Sequence, residues 1–338
     1  MNLEIEAPVR TPHTPQDAIA LGPDIRLTCA QVDRFAHEPR LTARFSGQAC
    51  EAIERSAAAF GRVVASGAEV YGLTTGFGPH VRYAASRNAC EQGAGLIAHL
   101  GAGWGPAASV EVVRATMLVR AQSLAQGCSG VGPRVAEAWL ELLNRGVVPS
   151  VPEIGSVGAS GDLIPLSHMA RVLMGEGEAM IGGRAQPAGT LLAALGIEPL
   201  ALSGRDALAL VNGTAFMTAY ASLSVAAAYR LVAAAERITG FICRVLGARR
   251  NGLDARLHAA RGHPGQEASA ASIRLEADAD GWEDPSRPLQ EVYSIRCAPQ
   301  ILGAVRDQLA YARDVIEREL NGVSDNPVIW HSPDAEAL

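Results

Sequence analysis

Residues 155–168 read Gly155-Ser-Val-Gly-Ala-Ser-Gly-Asp-Leu-Ile-Pro-Leu-Ser-His168, with the tripeptide Ala159-Ser160-Gly161 at their centre. Where such a loop bends tightly, the amide nitrogen of Gly161 can attack the carbonyl carbon of Ala159 and close a five-membered ring with loss of water. Loss of a second water from Ser160 then leaves an exocyclic methylidene, a strong electrophile. Each residue type has a reason: glycine has no Cβ to resist the strained turn, alanine is small, and only a residue with a β-hydroxyl can be dehydrated this way. Ala-Ser-Gly alone is most often a plain turn, so its meaning rests on what surrounds it.

Pro149, Pro152 and several glycines exclude a helix around the tripeptide, so residues 147–165 read as a loop. Upstream, Val135, Trp139 and Leu142 share one face of a helix expected from Pro133 to Arg145. Val110, Val113, Met117 and Leu124 give the same period between Pro106 and Gln126, closed by Gly127. Earlier still, Ile53, Ala57, Phe60 and Val64 follow Ser46, a ready N-cap, and Gly67 ends the run. Residues 72–80, GLTTGFGPH, are too rich in Gly and Thr for helix or strand and read as a second loop. Downstream, AGTLLAALGIEPLALSGRD has the punctuation of a connector, which puts a boundary near residue 200. Beyond it lie a long Ala-rich apolar stretch from 206 to about 250 and a long helix over 298–321, separated by the acidic EADADGWEDPSRP. The expected fold is therefore mainly α: a mixed helical and loop domain over 1–200, carrying the ring-forming loop, and part of a long-helix bundle over 201–338.

The bulk composition fits closely packed helices. Of the 338 residues 48% are hydrophobic but only 5% aromatic, so Ala, Val, Leu and Ile must fill the core. The formal charge of −6 and the lack of a basic, aromatic-interleaved run speak against nucleic acid as a partner. The start, MNLEIEAPVRTPHTP, has neither the basic nor the apolar region of a secretion signal. Apolar stretches are broken by Arg, Glu or Gly well before membrane-spanning length, so the expectation is a soluble, cytoplasmic chain without a membrane partner. Six scattered cysteines, without C-x-x-C or H-E-x-x-H spacing, offer no zinc site, and no metal is expected.

The stretch 155–168 closely resembles the signature of the histidine, phenylalanine and tyrosine ammonia-lyases. Four further segments match that family in order: Tyr71-Gly-Leu-Thr-Thr-Gly-Phe-Gly78, Leu210-Val-Asn-Gly-Thr214, Tyr293-Ser-Ile-Arg-Cys-Ala-Pro-Gln300 and Glu319-Leu-Asn-Gly-Val-Ser-Asp-Asn-Pro327. The resemblance runs from about residue 25 onward. It implies that Ala159, Ser160 and Gly161 mature autocatalytically into a methylidene-imidazolone, with no external cofactor. It also implies that Tyr71 is the base that removes a weakly acidic β-proton, and that Asn212 and Tyr293 belong to the catalytic set. Arg296 is the implied carboxylate clamp, since a guanidinium holds a carboxylate through two parallel hydrogen bonds. Gln290, Asn326 and Gly78 fall at positions that line the family's site or bind substrate.

Substrate choice in the family rests on a two-residue selector, here His99-Leu100, which resembles the tyrosine enzymes more than the Ser-His or Phe-Leu of the histidine and phenylalanine enzymes. An imidazole can hydrogen-bond a phenol, so tyrosine is the expected preference, ahead of phenylalanine or histidine. The implied reaction is non-oxidative deamination of a small aromatic amino acid to an arylacrylate. An aminomutase with the same electrophile is one alternative, and a shortened, catalytically silent homologue acting as a subunit is another. Family members usually continue well past the Asn326 motif, so the resemblance implies that a C-terminal part of the bundle is missing here. It further implies a homotetramer whose sites are shared between subunits.

Overall fold

The computed structural model describes residues 18–83, 88–278 and 283–330. The N-terminal stretch read for a secretion signal, part of the acidic connector and the closing HSPDAEAL lie outside them. The chain is mainly helical, as the periodicity implies, and divides into two compact units: one runs to Tyr220 and resumes at Glu319, the other spans Ala221–Arg318. The division falls later than the connector near residue 200, and the first unit is discontinuous.

In the first unit, strand β1 (Ala18–Leu21) and helix α1 (Cys29–His37) precede β2 (Thr42–Phe45), which pairs with β1 in parallel. Helix α2 (Gly47–Ala65) begins where Ser46 Oγ accepts the Ala49 N–H, as its sequence foretold. A turn and a short 3-10 helix (Gly78–Arg82) lead to α3 (Ala89–His99) and strand β3 (Trp104–Ala107). Helix α4 (Val110–Ala125) is buried on nearly every face, packing on α1, α2 and α5 (Pro133–Asn144). Within that packing Gln122 of α4 bonds the backbone of Gly22 and Ile25, and Trp139 on α5 donates to the Met117 carbonyl at 2.9 Å.

Residues 147–165 are not wholly loop. They contain two short strands, β4 (Val148–Pro149) and β5 (Pro152–Ile154), before α6 (Leu163–Leu173) begins. Strand β5 pairs with β3, and β4 is the edge of a sheet completed by β6 (Glu178–Ile181) and β7 (Arg184–Pro187). Both prolines sit on edge strands, where a missing N–H costs no ladder bond.

Helices α7 (Ala188–Leu195) and α8 (Gly204–Val211) follow, and α8 packs against α3 and α6, which keeps residues beyond 200 in this unit. The apolar stretch after 206 is not one helix: it breaks at Asn212-Gly213-Thr214 before α9 (Ala215–Leu246). Asn212 leaves helical geometry at φ −91°, ψ 96°, and the Gly213 backbone lies so close to the Arg120 guanidinium that any Cβ there would collide with it. By length and composition the run Gly204–Leu246 would suffice to cross a membrane, contrary to the expectation that every apolar stretch breaks well short of that. Sixty-one per cent of its most apolar window is buried in the protein, as in a core helix. The returning segment is stitched back by Asn321, whose side chain bonds the Leu27 N–H at 2.7 Å and the Leu27 carbonyl at 2.8 Å.

The second unit holds the rest of α9, a 3-10 helix (Arg250–Leu253), α10 (Ala255–Ala259), α11 (Pro264–Ala277), the single turn α12 (Tyr293–Arg296) and most of α13 (Ala298–Leu320). Its core gathers Cys243, Ala248, Leu253, Ile273, Ala277, Ile295 and Ala298. Arg306 on α13 reaches buried Glu236 on α9 through two hydrogen bonds of 2.6 Å, and this pairing holds the Glu236 carboxyl below the usual range against the upward pull of burial.

Candidate active site

The Ala159-Ser160-Gly161 tripeptide is a bend between β5 and α6, with Ala159 and Ser160 exposed. Both ends of the bend are tied to one side chain. Asp162, fully buried, accepts the Ser156 hydroxyl at 2.6 Å ahead of the tripeptide and the Met217 N–H at 2.9 Å from the first turn of α9. Its own N–H donates to the Gly213 carbonyl at 2.7 Å. Gly161 adopts φ +96°, a region closed to ordinary L side chains, and a Cβ there would crowd Asn212 Oδ1 and the Gly213 nitrogen, both at 3.2 Å. The residues that a methylidene-imidazolone requires are thus held in a tight, exposed turn with a carboxamide against it. That arrangement fits the group.

Tyr71 lies in the turn after α2. Its phenol oxygen accepts the Gly78 N–H at 2.8 Å, and its ring meets Phe77 edge to face. The two residues assigned from one motif are therefore bonded to each other. The turn is fastened to α3 by buried Gln92, whose amide donates to the carbonyls of Gly72 and Thr75.

His99 ends α3 and is exposed, with half-buried Leu100 as its cap. A satisfied core histidine would be buried, and this one is not. The segment that follows is bonded to α6, since Ser167 Oγ donates to the Leu100 carbonyl at 3.0 Å and His168 Nε2 lies 2.6 Å from the Ala102 carbonyl. Helix α6 thus links the His99-Leu100 turn to the Ala159-Ser160-Gly161 bend at its own N-terminus.

Asn212 caps α8 and donates from Nδ2 to the Asn326 carbonyl at 3.4 Å. Asn326 is exposed, and its neighbour Asp325 buries its side chain between Arg120 and Arg205. Asp162, Arg120, Arg205 and Asp325 were not among the residues assigned from the sequence. Arg120 carried a signal, being a charge within the apolar period of α4. Asp162 stood inside the quoted stretch without a role.

Gln290, Tyr293 and Arg296 belong to the second unit. Tyr293 and Arg296 occupy the first and last positions of α12 and are exposed, while Ile295 between them enters the core. Buried Glu291 anchors the approach to α12: it accepts the Arg249 N–H at 3.1 Å and two bonds from Arg287 at 3.0 and 2.5 Å. Beside it, Gln290 is exposed.

A family model described as aromatic amino acid lyase matches residues 27–338. Histidine ammonia-lyase of Gloeobacter violaceus is 42% identical over 295 residues, 85% of this chain and 57% of that protein. A probable histidine ammonia-lyase of Halobacterium salinarum is 40% identical, over 90% of this chain and 58% of that one. Among solved structures, tyrosine aminomutase from Streptomyces globisporus superposes with a TM-score of 0.83 at 32% identity, covering 93% of this chain and 63% of that one. Histidine ammonia-lyase from Trypanosoma cruzi gives 0.84 at 29% identity, covering 94% and 59%. The chain thus spans less than two thirds of each of these relatives.

Proposed function

Because the chain belongs to the aromatic amino acid lyase family, we propose that it releases ammonia non-oxidatively from an aromatic L-amino acid, with histidine the first substrate. The observation that carries this is the tripeptide turn braced on both sides by Asp162, with Asn212 against Gly161. A methylidene-imidazolone made from Ala159, Ser160 and Gly161 would supply an electrophile for the substrate. Tyr71, oriented by the Gly78 N–H, takes the β-proton. Arg296 serves as a bidentate carboxylate clamp, Gln290 and Asn326 as substrate-binding residues, Tyr293 as a catalytic one, and Asn212 supports the electrophile through its carboxamide. His99 and Leu100 meet the substrate's ring.

The names of the curated relatives support histidine, whereas the His99-Leu100 pair supports tyrosine, the preference expected from sequence. Purified protein assayed on histidine, tyrosine and phenylalanine decides between them by ammonia and arylacrylate release. Release from none of the three would overturn the reading. Exchanging His99→Phe is expected to lower the rate on histidine and tyrosine relative to phenylalanine by about tenfold, the scale of one lost polar contact; an unchanged ratio of kcat/KM values would remove His99 from the selector.

Tyr71→Phe is expected to cut kcat by about 10² to 10⁴, the usual contribution of a positioned general base. Dehydration of the tripeptide would survive, which intact-mass measurement would register; a full kcat would point to another base. The tyrosine aminomutase neighbour supports a second reading, in which the amino group returns to the β-carbon. Chromatography for a β-amino acid product separates the two.

We also propose a homo-oligomer, a tetramer by family resemblance. Leu231, Ile238, Phe241 and Val245 recur along α9 at helical spacing, and each is more than half exposed. Light scattering on the eluting protein is expected to give a multiple of the chain mass, and a single monomeric species would refute the assembly.

A further inference from the structure

We propose that Asp325 is a positioning residue for the electrophile, acting through Arg120 and Arg205 to hold Asn212 against Gly161. The three side chains are buried almost completely: Arg120 is 0% exposed, Asp325 and Arg205 2% each. Asp325 Oδ1 lies 3.0 Å from Arg205 Nη2, and Oδ2 lies 3.4 Å from Arg120 Nη2. Two cations and one anion in the interior are costly to desolvate, and apolar residues of similar volume often serve stability equally well. Their placement here has a geometric reason.

Each arm of the cluster reaches backbone that carries or contacts Asn212. Arg120 donates to the Ala209 carbonyl in the last turn before Asn212, and its guanidinium lies against Gly213. Arg205 donates to the Ser129 carbonyl and, at 3.2 Å, to the Asn326 carbonyl. That same Asn326 oxygen accepts from Asn212 Nδ2, and the Gly213 carbonyl accepts the Asp162 N–H. One carboxylate therefore fixes two arginines, and the two arginines fix both segments that support Asn212 and the bend. Asp325 touches neither the tripeptide nor substrate in this scheme.

The inference rests on the reading that Ala159-Ser160-Gly161 matures, so wild type is measured in parallel. The test is the triple variant Arg120→Met/Asp325→Leu/Arg205→Met, which removes the three charges of the cluster together. Circular dichroism and melting report folding, and mass of the peptide spanning residues 150–175 reports the loss of two waters. The expected result is a folded protein whose dehydration is slowed about a hundredfold, the cost of an ångström-scale misplacement, and whose kcat falls with little change in KM. A folded triple variant that dehydrates and turns over like wild type would overturn the proposal.

Should the triple variant not fold, Arg205→Lys decides. It keeps the charge beside Asp325 but cannot span Ser129 and Asn326 as a guanidinium does. Slowed dehydration supports the proposal, and wild-type dehydration with wild-type kcat overturns it. Wild type without the two-water loss would overturn the maturation reading and this inference with it.

Discussion

Ser160→Ala is expected to abolish ammonia release, by at least about a thousandfold, because it removes the only hydroxyl that can leave as the second water. Ring closure between Gly161 and Ala159 does not use that hydroxyl, so the first water can still depart. Mass spectrometry of the peptide spanning residues 150–175 would then show at most one water lost where wild type loses two. Ser160 is exposed at the tip of its bend, so melting and circular dichroism should match wild type. Unchanged turnover would mean that the electrophile is not made here.

The second large effect is expected from Asp162→Ala. The wild-type carboxylate accepts from Ser156 and Met217, so truncation leaves a partly buried N–H and a hydroxyl without their partner. A hydrogen bond to a charged group contributes about 1.5–3 kcal/mol, which puts the combined destabilisation at roughly 2–5 kcal/mol. The loss for maturation is larger in kind. With Ser156 released and only the backbone bond from residue 162 to Gly213 left on the far side, the Gly161 nitrogen spends less time near the Ala159 carbonyl, and cyclisation should slow by about a hundredfold. Asp162→Asn retains one acceptor oxygen and should fall between. A time course of mass loss on freshly refolded protein, set beside melting curves, separates slow chemistry from instability; an alanine variant that cyclises at the wild-type rate would refute the bracing role.

Helices with both period and punctuation were legible in the sequence. Those beginning at Gly47, Val110, Pro133 and Ala298 lie within a few residues of where their apolar spacing and their caps put them. Strands β4 and β5 were not, since two or three residues carry no alternation to detect. The break at Asn212-Gly213 was hidden for a different reason. An Asn-Gly pair inside an apolar run is weak by itself, and what enforces it is the Arg120 guanidinium, far away in sequence.

The site divides in the same way. Tyr71, Ser160 and Asn212 were proposed because whole motifs surround them. Asp325 and Arg205 act through contacts that no local pattern encodes. The selector shows a further limit: an imidazole such as His99 can donate to or accept from a phenol or another imidazole, so two residues do not choose between tyrosine and histidine.

The order of synthesis adds a constraint of its own. Residues 159–161 leave the ribosome early, but the Asn212 carboxamide meets its partner on Asn326 only 114 residues further along the chain, and the Arg120 guanidinium meets Asp325 across a separation of 205. A nascent chain halted before Ser324 would display the tripeptide without its far bracing. Such long-range closure is slow relative to local helix formation. Dehydration of the tripeptide is therefore expected to wait for the segment around Asp325 rather than to follow the emergence of the loop, and a ribosome-stalled series of lengths would show it switching on as that segment emerges.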